Sequence, residues 1–350
     1  MVIKGDLKVD IKFSVIIPTH NRSEQLSLTL TSFNIQTMNN FEVVVVDDGS
    51  TDNTKDLVEN FEASYPLTYK LIENAGSAAM ARNKGISWAS GKYLIFCDAD
   101  FIVIPEFIEI FNKYIDKNPG SVISGFPECW NKIYTYFYPD FTARQKQKLY
   151  HSHNYSDRQK NELAKSKKIV QIIKPQDIYN NFNKIKRLAS PNLKRNIKKQ
   201  FQKTDVASWL LFVTRCVLVN KKYVEELGGF DASFPKNGLE DWELGYRLSN
   251  IGIDFISIPK VLGYHQEHPL RARQNEFRNL CLIYDKYDFS IPEFNLFAVY
   301  WPWKNIKKYK DSLRLFKIKQ DNKRFREVRQ LQNKWKYMAI NFYNKFAVKE

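Results

Sequence analysis

The chain is poor in cysteine and has no long apolar run. Its four cysteines, Cys97, Cys129, Cys216 and Cys281, are scattered through 350 residues without paired spacing. That pattern excludes a Cys-x-x-Cys zinc framework and a disulfide-stapled fold, and leaves reduced, buried thiols as the expectation. No window approaches the roughly 18 consecutive apolar residues of a membrane-spanning helix. The opening MVIKGDLKVDIKF lacks the basic-then-apolar layout of a secretory leader, which points to a cytoplasmic protein, at most resting on the inner membrane face. No internal repeat is visible.

What remains is ordinary globular composition, 43% hydrophobic and 26% charged, enough for one large domain or one domain with an appendage. Acidic residues are outnumbered, giving a net charge of +16, and the imbalance is local. Residues 144–203 hold 17 Lys/Arg against 3 Asp/Glu, and residues 301–350 hold 15 against 4. The rest of the chain is mildly acidic.

FSVIIPT (13–19) reads as a buried strand stopped by Pro18, and SEQLSLTLTSFNIQ (23–36) as a helix with Ser23 as its N-cap. FEVVVVDDGSTDNT (41–54) is a second strand broken by a polar turn, followed by a helix at 54–64 and a strand at 67–73. GSAAMARNKGISWAS (76–90) is a helix rich in small residues, leading to a strand at 92–97. Continuous apolar strands alternating with helices indicate an α/β fold, a parallel sheet covered on both faces. Ligands in such sheets bind beyond the carboxyl ends of the strands. Pro18-Thr19, Asp47-Asp48 and Asp98-Ala99-Asp100 all fall at such ends.

Residues 130–205 are rich in Lys, Asn and Gln and lose the strand alternation, which reads as a mainly helical insertion. Strand, helix and a Gly-Gly turn return over 210–231, a helix over 237–252, and a strand and two histidines over 254–269. Beyond 271 the pattern is helical and basic, with WPW (301–303) marking a break. The expected divisions are therefore 10–129, 130–205, 206–270 and 271–350.

Two carboxylates in KYLIFCDADFIVIP stand among apolar neighbours and call for a proton, a partner or a metal. Residues i and i+2 of an extended chain point apart, but a turn can aim both at one ligand. A hard divalent cation shared with a diphosphate would meet the charge requirement.

FSVIIPTHNR, VVVVDDGSTDNT, NAGSAAMARNKGI and YLIFCDAD, in that order, resemble the nucleotide-binding half of family 2 glycosyltransferases. The resemblance implies the Rossmann-like GT-A fold, a nucleotide-diphospho-sugar donor and Mn2+ or Mg2+. By motif position Thr19 and Asp48 would line the nucleoside pocket, Arg82 would face the phosphates, Asp98 the ribose, and Asp100 the metal. Pro18 and Ala99 belong to the same donor-binding edge. A guanidinium matches phosphate oxygens, and a carboxylate can accept from a base N–H or hold a cation.

GFDASFPKNGLEDWELGYRLSNIG (229–252) places Glu240-Asp241 at a helix start, where acidic residues also complement the macrodipole. GGFD, a Gly, Glu-Asp and an aromatic residue nonetheless resemble the C-terminal half of galactosyltransferases and chondroitin-type polymerases. That implies Asp241 as catalytic base and Glu240 as the residue orienting the acceptor hydroxyl. Leu239 departs from the glycine common at its position. Trp242 suits either a sugar platform or the core. His265 and His268 in GYHQEHP are the implied completion of the metal shell, His265 ahead of His268, and imidazole favours Mn2+ over Mg2+.

Together these resemblances imply an inverting, metal-dependent transfer of a hexosyl or N-acetylhexosaminyl group from a UDP-sugar to a glycan or lipid-linked hydroxyl. A peptide acceptor is the alternative within enzymes, and a silent nucleotide-sugar-binding scaffold the alternative outside them. A nucleotidyltransferase is disfavoured, because PTHNR stands where its Gly-rich loop would be. The aromatic-studded basic blocks 144–203 and 301–350 suit solvated helices or an anionic membrane surface; nucleic acid is disfavoured because no motif for it occurs.

Overall fold

The computed structural model describes residues 11–73, 76–235, 238–269 and 275–347. Asn74 and Ala75 of the third motif, Lys236 and Asn237 before the acidic pair, and the expected boundary near 271 lie outside the described residues.

The first strands are β1 (Phe13–Thr19), β2 (Phe41–Asp47), β3 (Leu67–Leu71), β4 (Tyr93–Cys97), β5 (Phe101–Val103) and β6 (Val122–Ser124). The short β7 (Asn131–Ile133), β8 (Tyr136–Phe137), β9 (Val170–Gln171) and β10 (Ser190–Pro191) follow, then β11 (Cys216–Asn220), β12 (Phe255–Ser257) and β13 (Gly263–Gln266). Helices α1 (Ser23–Phe33), α2 (Thr54–Glu59), α3 (Ala78–Trp88) and α4 (Phe107–Lys117) alternate with the first strands. The insertion carries α5 (Ala143–Ser152), α6 (Asp157–Lys165), α7 (Pro175–Asn180), α8 (Phe182–Leu188) and α9 (Arg195–Phe201). The remainder holds α10 (Lys221–Glu226), α11 (Glu240–Asn250), α12 (Asn275–Tyr287), α13 (Pro292–Asn295), α14 (Pro302–Asp321) and α15 (Phe325–Phe346).

The main sheet has seven strands in the order β12-β6-β11-β4-β1-β2-β3. All its pairings are parallel except those of β11, which runs against both β4 and β6. The cores of β1, β2 and β4 are buried with almost no interruption, as their unbroken apolar runs require of strands covered on both faces. The small residues of α3 have a packing reason: a Cβ at Gly85 would come within 2.5 Å of Ile16 Cγ2 on β1. A second sheet, β10-β7-β13-β5, joins the turn after β4 to the insertion and to the histidine segment.

Two expectations need correction. Ser23 is the first helical residue of α1, not its cap; Arg22 holds the cap position, and the Ser23 N–H donates to Asp52 Oδ2 at 3.0 Å. The 23–36 helix ends at Phe33. The insertion carries the short strands β7 to β10 beside its helices, and β7 pairs with β13.

The C-terminal helices are built into the domain. Trp303, at the start of α14, stacks on Trp130 of the insertion (centroids 4.9 Å apart) and on Trp242 of α11 (5.1 Å). Lys310 is fully buried and donates to the carbonyls of Phe201 and Lys203, and Arg314 pairs with Asp205 at 2.6 Å. All four cysteines are free and buried. Among the described residues no helix is long and apolar enough to cross a membrane.

Candidate active site

The carboxyl ends of β1, β2 and β4 open onto a cavity of about 680 Å3. Pro18, Thr19 and Asp48 line it from the strand ends, Arg82 from α3, and Asp98, Ala99 and Asp100 from the turn after β4. His265 and His268 reach it from β13 and the residues just beyond. The strand-end clusters and histidines singled out in the sequence thus meet at one edge. Asp48 and Asp100 are each 8% exposed, and the buried Thr19 hydroxyl has no hydrogen-bond partner among the described residues.

The turn sends its two carboxylates to different partners. Asp98 Oδ2 accepts from Arg215 Nε at 3.0 Å, and Arg82 Nη2 stands 4.0 Å from Oδ1. Arg215 in turn lies over the Trp130 ring, 4.3 Å from its centroid. Asp100 faces imidazoles: Oδ1 is 3.5 Å from His265 Nε2, and Oδ2 is 3.5 Å from His268 Nε2. One ligand atom from each of these three side chains lies within 4.8 Å of the others.

Burial opposes ionisation of Asp100, but the nearby charge of His265 prevails and holds the carboxyl well below its ordinary range. Burial and Arg215 push the other way on His265; Asp100 and Glu267 outweigh them and raise it. Glu267 Oε1 faces His265 Nδ1 at 3.8 Å, the carboxylate–histidine arrangement that orients a metal-binding imidazole. His268 Nδ1 meets the Pro269 carbonyl at 3.0 Å, which places the proton there and leaves the Nε2 lone pair facing Asp100. Asp100 Oδ1, though buried, has no hydrogen-bond partner among the described residues. An orphaned carboxylate oxygen with two imidazole nitrogens fits a divalent ion, and suits Mn2+ better than Mg2+.

The acidic pair sits behind Arg82. Gly238 (φ 124°) and Leu239 (φ 69°) form a left-handed corner that starts α11. Leucine there is strained, which accounts physically for a glycine preference at this position. Glu240, 3% exposed, accepts from Arg82 Nη1 at 2.9 Å and from the Gly238 N–H at 2.5 Å. Arg82 is therefore committed to a buried ion pair, although its Nε has no hydrogen-bond partner among the described residues. Asp241 accepts from the Trp242 N–H at 2.8 Å. Burial, then the adjacent Glu240 charge, pushes the Asp241 carboxyl up to about 7 against Arg82 and the backbone hydrogen bonds of Trp242 and Thr214. Trp242 is a core residue: 1% exposed, stacked on Trp303, with Nε1–H donating to the Leu210 carbonyl at 3.1 Å. It offers no sugar platform.

His20, Arg22, Ser77 and Arg215 also line the cavity and were not singled out in the sequence. Only Arg215 carried a signal, as the lone charge within the apolar stretch VASWLLFVTRCVLV (206–219).

The Glycosyl transferase family 2 profile matches residues 14–209. The uncharacterized glycosyltransferase YfnE of Bacillus subtilis is 31% identical over 79% of this chain and 71% of its own length. Chondroitin synthase of Escherichia coli is 28% identical over 75% of this chain, which spans 35% of that protein. Two solved structures share the architecture at 16% identity. S. aureus TarS 1-349 in complex with UDP has a TM-score of 0.53, over 95% of this chain and 89% of that one. The mannosyltransferase PcManGT from Pyrobaculum calidifontis, in complex with GDP-Man and Mn2+, has a TM-score of 0.52, over 96% and 86%. The chain belongs to glycosyl transferase family 2 and has the GT-A fold.

Proposed function

We propose that the protein is a divalent-metal-dependent, inverting glycosyltransferase that moves a sugar from UDP to an acceptor hydroxyl of a glycan or lipid-linked glycan. The observation that carries this reading is one sheet edge. It joins an Asp100–His265–His268 donor set to Asp48, Arg82 and Asp98, with a half-buried acid raised to about 7 behind Arg82. A uridine donor is favoured by the likeness to TarS, whose structure holds UDP, and Mn2+ by the likeness to PcManGT, whose structure holds that ion.

In this reading Thr19 and Asp48 hold the nucleoside, and Asp98, fixed by Arg215, faces the ribose. Arg82 joins the donor edge to Glu240, so the spacing between donor and acidic pair is set by a buried ion pair. Asp241 accepts the acceptor proton as the hydroxyl oxygen forms its bond to the anomeric carbon. The bond from that carbon to the diphosphate oxygen breaks on the opposite face, and UDP leaves with the electron pair. Asp100, His265 and His268 would hold the cation, which when bound neutralises charge on the diphosphate.

The test is a donor screen by thermal stabilisation, with and without Mn2+, followed by transfer assays on Asp241→Asn. UDP-sugars should stabilise the protein with Mn2+, and the variant should bind donor normally yet not transfer. Near-normal turnover of Asp241→Asn removes it from the base role.

A further inference from the structure

The proposed reaction leaves the cations of the insertion unused, yet several of its side chains gather beside the metal-site histidines. Lys132 on β7 is the register partner of His265 on β13, and paired residues of adjacent strands share a face. Its ammonium lies 3.6 Å from Glu267 Oε2, the carboxylate whose other oxygen faces His265. Helix α5 contributes Arg144 and Lys148, four positions apart and so on one helix face. Gln145 Nε2 donates to the His268 carbonyl at 3.0 Å, docking this turn of α5 onto the histidine segment.

The cations crowd one another. Lys132, then burial and Arg144, pushes the Lys148 ammonium below its ordinary value. Among the described residues no carboxylate pairs with Arg144 or Lys148, and Glu267 is shared between Lys132 and His265. Tyr134, one residue past β7, is 2% exposed, and its hydroxyl has no hydrogen-bond partner among the described residues. Lys132 Nζ lies 6.0 Å from the centroid of its ring, and Glu267 and Arg144 are the charges that reach its hydroxyl.

We propose that Lys132, Tyr134, Arg144 and Lys148 form a subsite for an anionic group, phosphate or carboxylate, carried by the acceptor. Surplus positive charge beside a buried phenol is what such a group would neutralise; Arg144 and Lys148, exposed on α5, are where it would arrive, and a guanidinium matches either oxyanion bidentately. The donor diphosphate is the other source of this chemistry, but the donor cavity has guanidiniums of its own, Arg22, Arg82 and Arg215. The four residues of the subsite are not part of that cavity's lining; Glu267 and His265 stand between. This inference rests on the transferase reading.

Ligand-observed NMR at low salt tests it on the full chain and on Arg144→Gln/Lys148→Gln, with glucose 6-phosphate, glucuronic acid and glucose as probes. UDP with Mn2+ is titrated in the same samples. The two anionic probes should bind wild type and glucose should not; the double variant should weaken them about tenfold or more while UDP affinity stays unchanged. Salt should weaken the anionic probes in parallel, and Tyr134→Phe should weaken them while preserving that salt dependence. Equal binding of glucose and glucose 6-phosphate overturns the subsite. A loss of UDP affinity matching the loss of probe affinity overturns its assignment to the acceptor. Failure of wild type to bind UDP with Mn2+ counts instead against the transferase reading, and the probe titrations still decide the anion site.

Discussion

If Asp241 is the base, its ionisation gates turnover. Its carboxyl sits near 7 because burial and the neighbouring Glu240 both oppose a negative charge. A base must be deprotonated to act, so kcat/KM should rise with pH and level off above about pH 8. One group titrating near 7 is about 90% ionised at pH 8 and about 1% ionised at pH 5, so kcat/KM should fall about a hundredfold between them. A carboxylate at its ordinary value of about 3.9 would stay mostly ionised at pH 5 and give a nearly flat profile. Protonation of His265 and His268 would also lower the rate in acid, by weakening metal binding. The two effects separate by concentration: added Mn2+ moves the metal-dependent limb and leaves the Asp241 limb in place. The assay is the initial rate of UDP release across this range at several Mn2+ concentrations, with Glu240→Gln expected to move the midpoint to lower pH. A flat profile at saturating Mn2+ refutes the argument.

Arg82→Met leaves Glu240 buried without its partner, which should cost about 3–5 kcal/mol and appear as a lower denaturant midpoint, together with weaker UDP-sugar binding. Chelation should abolish turnover, and Asp100→Asn should raise the Mn2+ needed for half-maximal rate by at least about tenfold; an unchanged requirement removes Asp100 from the metal site. Burial lowers Lys310 to about 7, whereas the unfolded chain keeps that proton to higher pH. Stability should therefore rise by about 2 kcal/mol between about pH 7 and pH 9, and Lys310→Met should lose this slope in denaturant titrations. Ile318 and Phe325, 55% and 69% exposed, stand among Lys317, Lys323 and Arg326 near the α14–α15 turn. Flotation with anionic vesicles should show salt-sensitive binding that Ile318→Ser/Phe325→Ser weakens; no binding removes the membrane reading.

The donor half was legible because its strands are local statements: FSVIIPT and FEVVVVD carry the unbroken apolar runs 15–17 and 43–46, and each ends in a polar break at the sheet edge. The partners of those breaks were not legible. Arg215 holds Asp98 from 117 positions further along the chain, and nothing near either residue announces the pairing. Short strands such as β7 carry too few residues for a period, so the 131–133 pairing with the histidine segment was invisible. Ser23 misled because its type suits an N-cap, while the helix begins one residue earlier, with Arg22 at the cap position and the Ser23 N–H held by Asp52. Trp242 could be read either way until Trp303 was found stacked against it.

That stack makes completion of the site depend on the order of synthesis. A chain emerging from the ribosome has the donor motifs, the acidic pair and both histidines before Trp303 exists. Until it arrives, Trp130 and Trp242 lack the ring that joins them, although Trp209 already packs on α11 through Trp242 and Tyr246. Because Trp130 underlies Arg215, which holds Asp98, and Trp242 follows Asp241, both halves of the site should settle only after residue 303 has emerged. A nick between α12 and α14 that let the terminal helices leave would loosen both halves again.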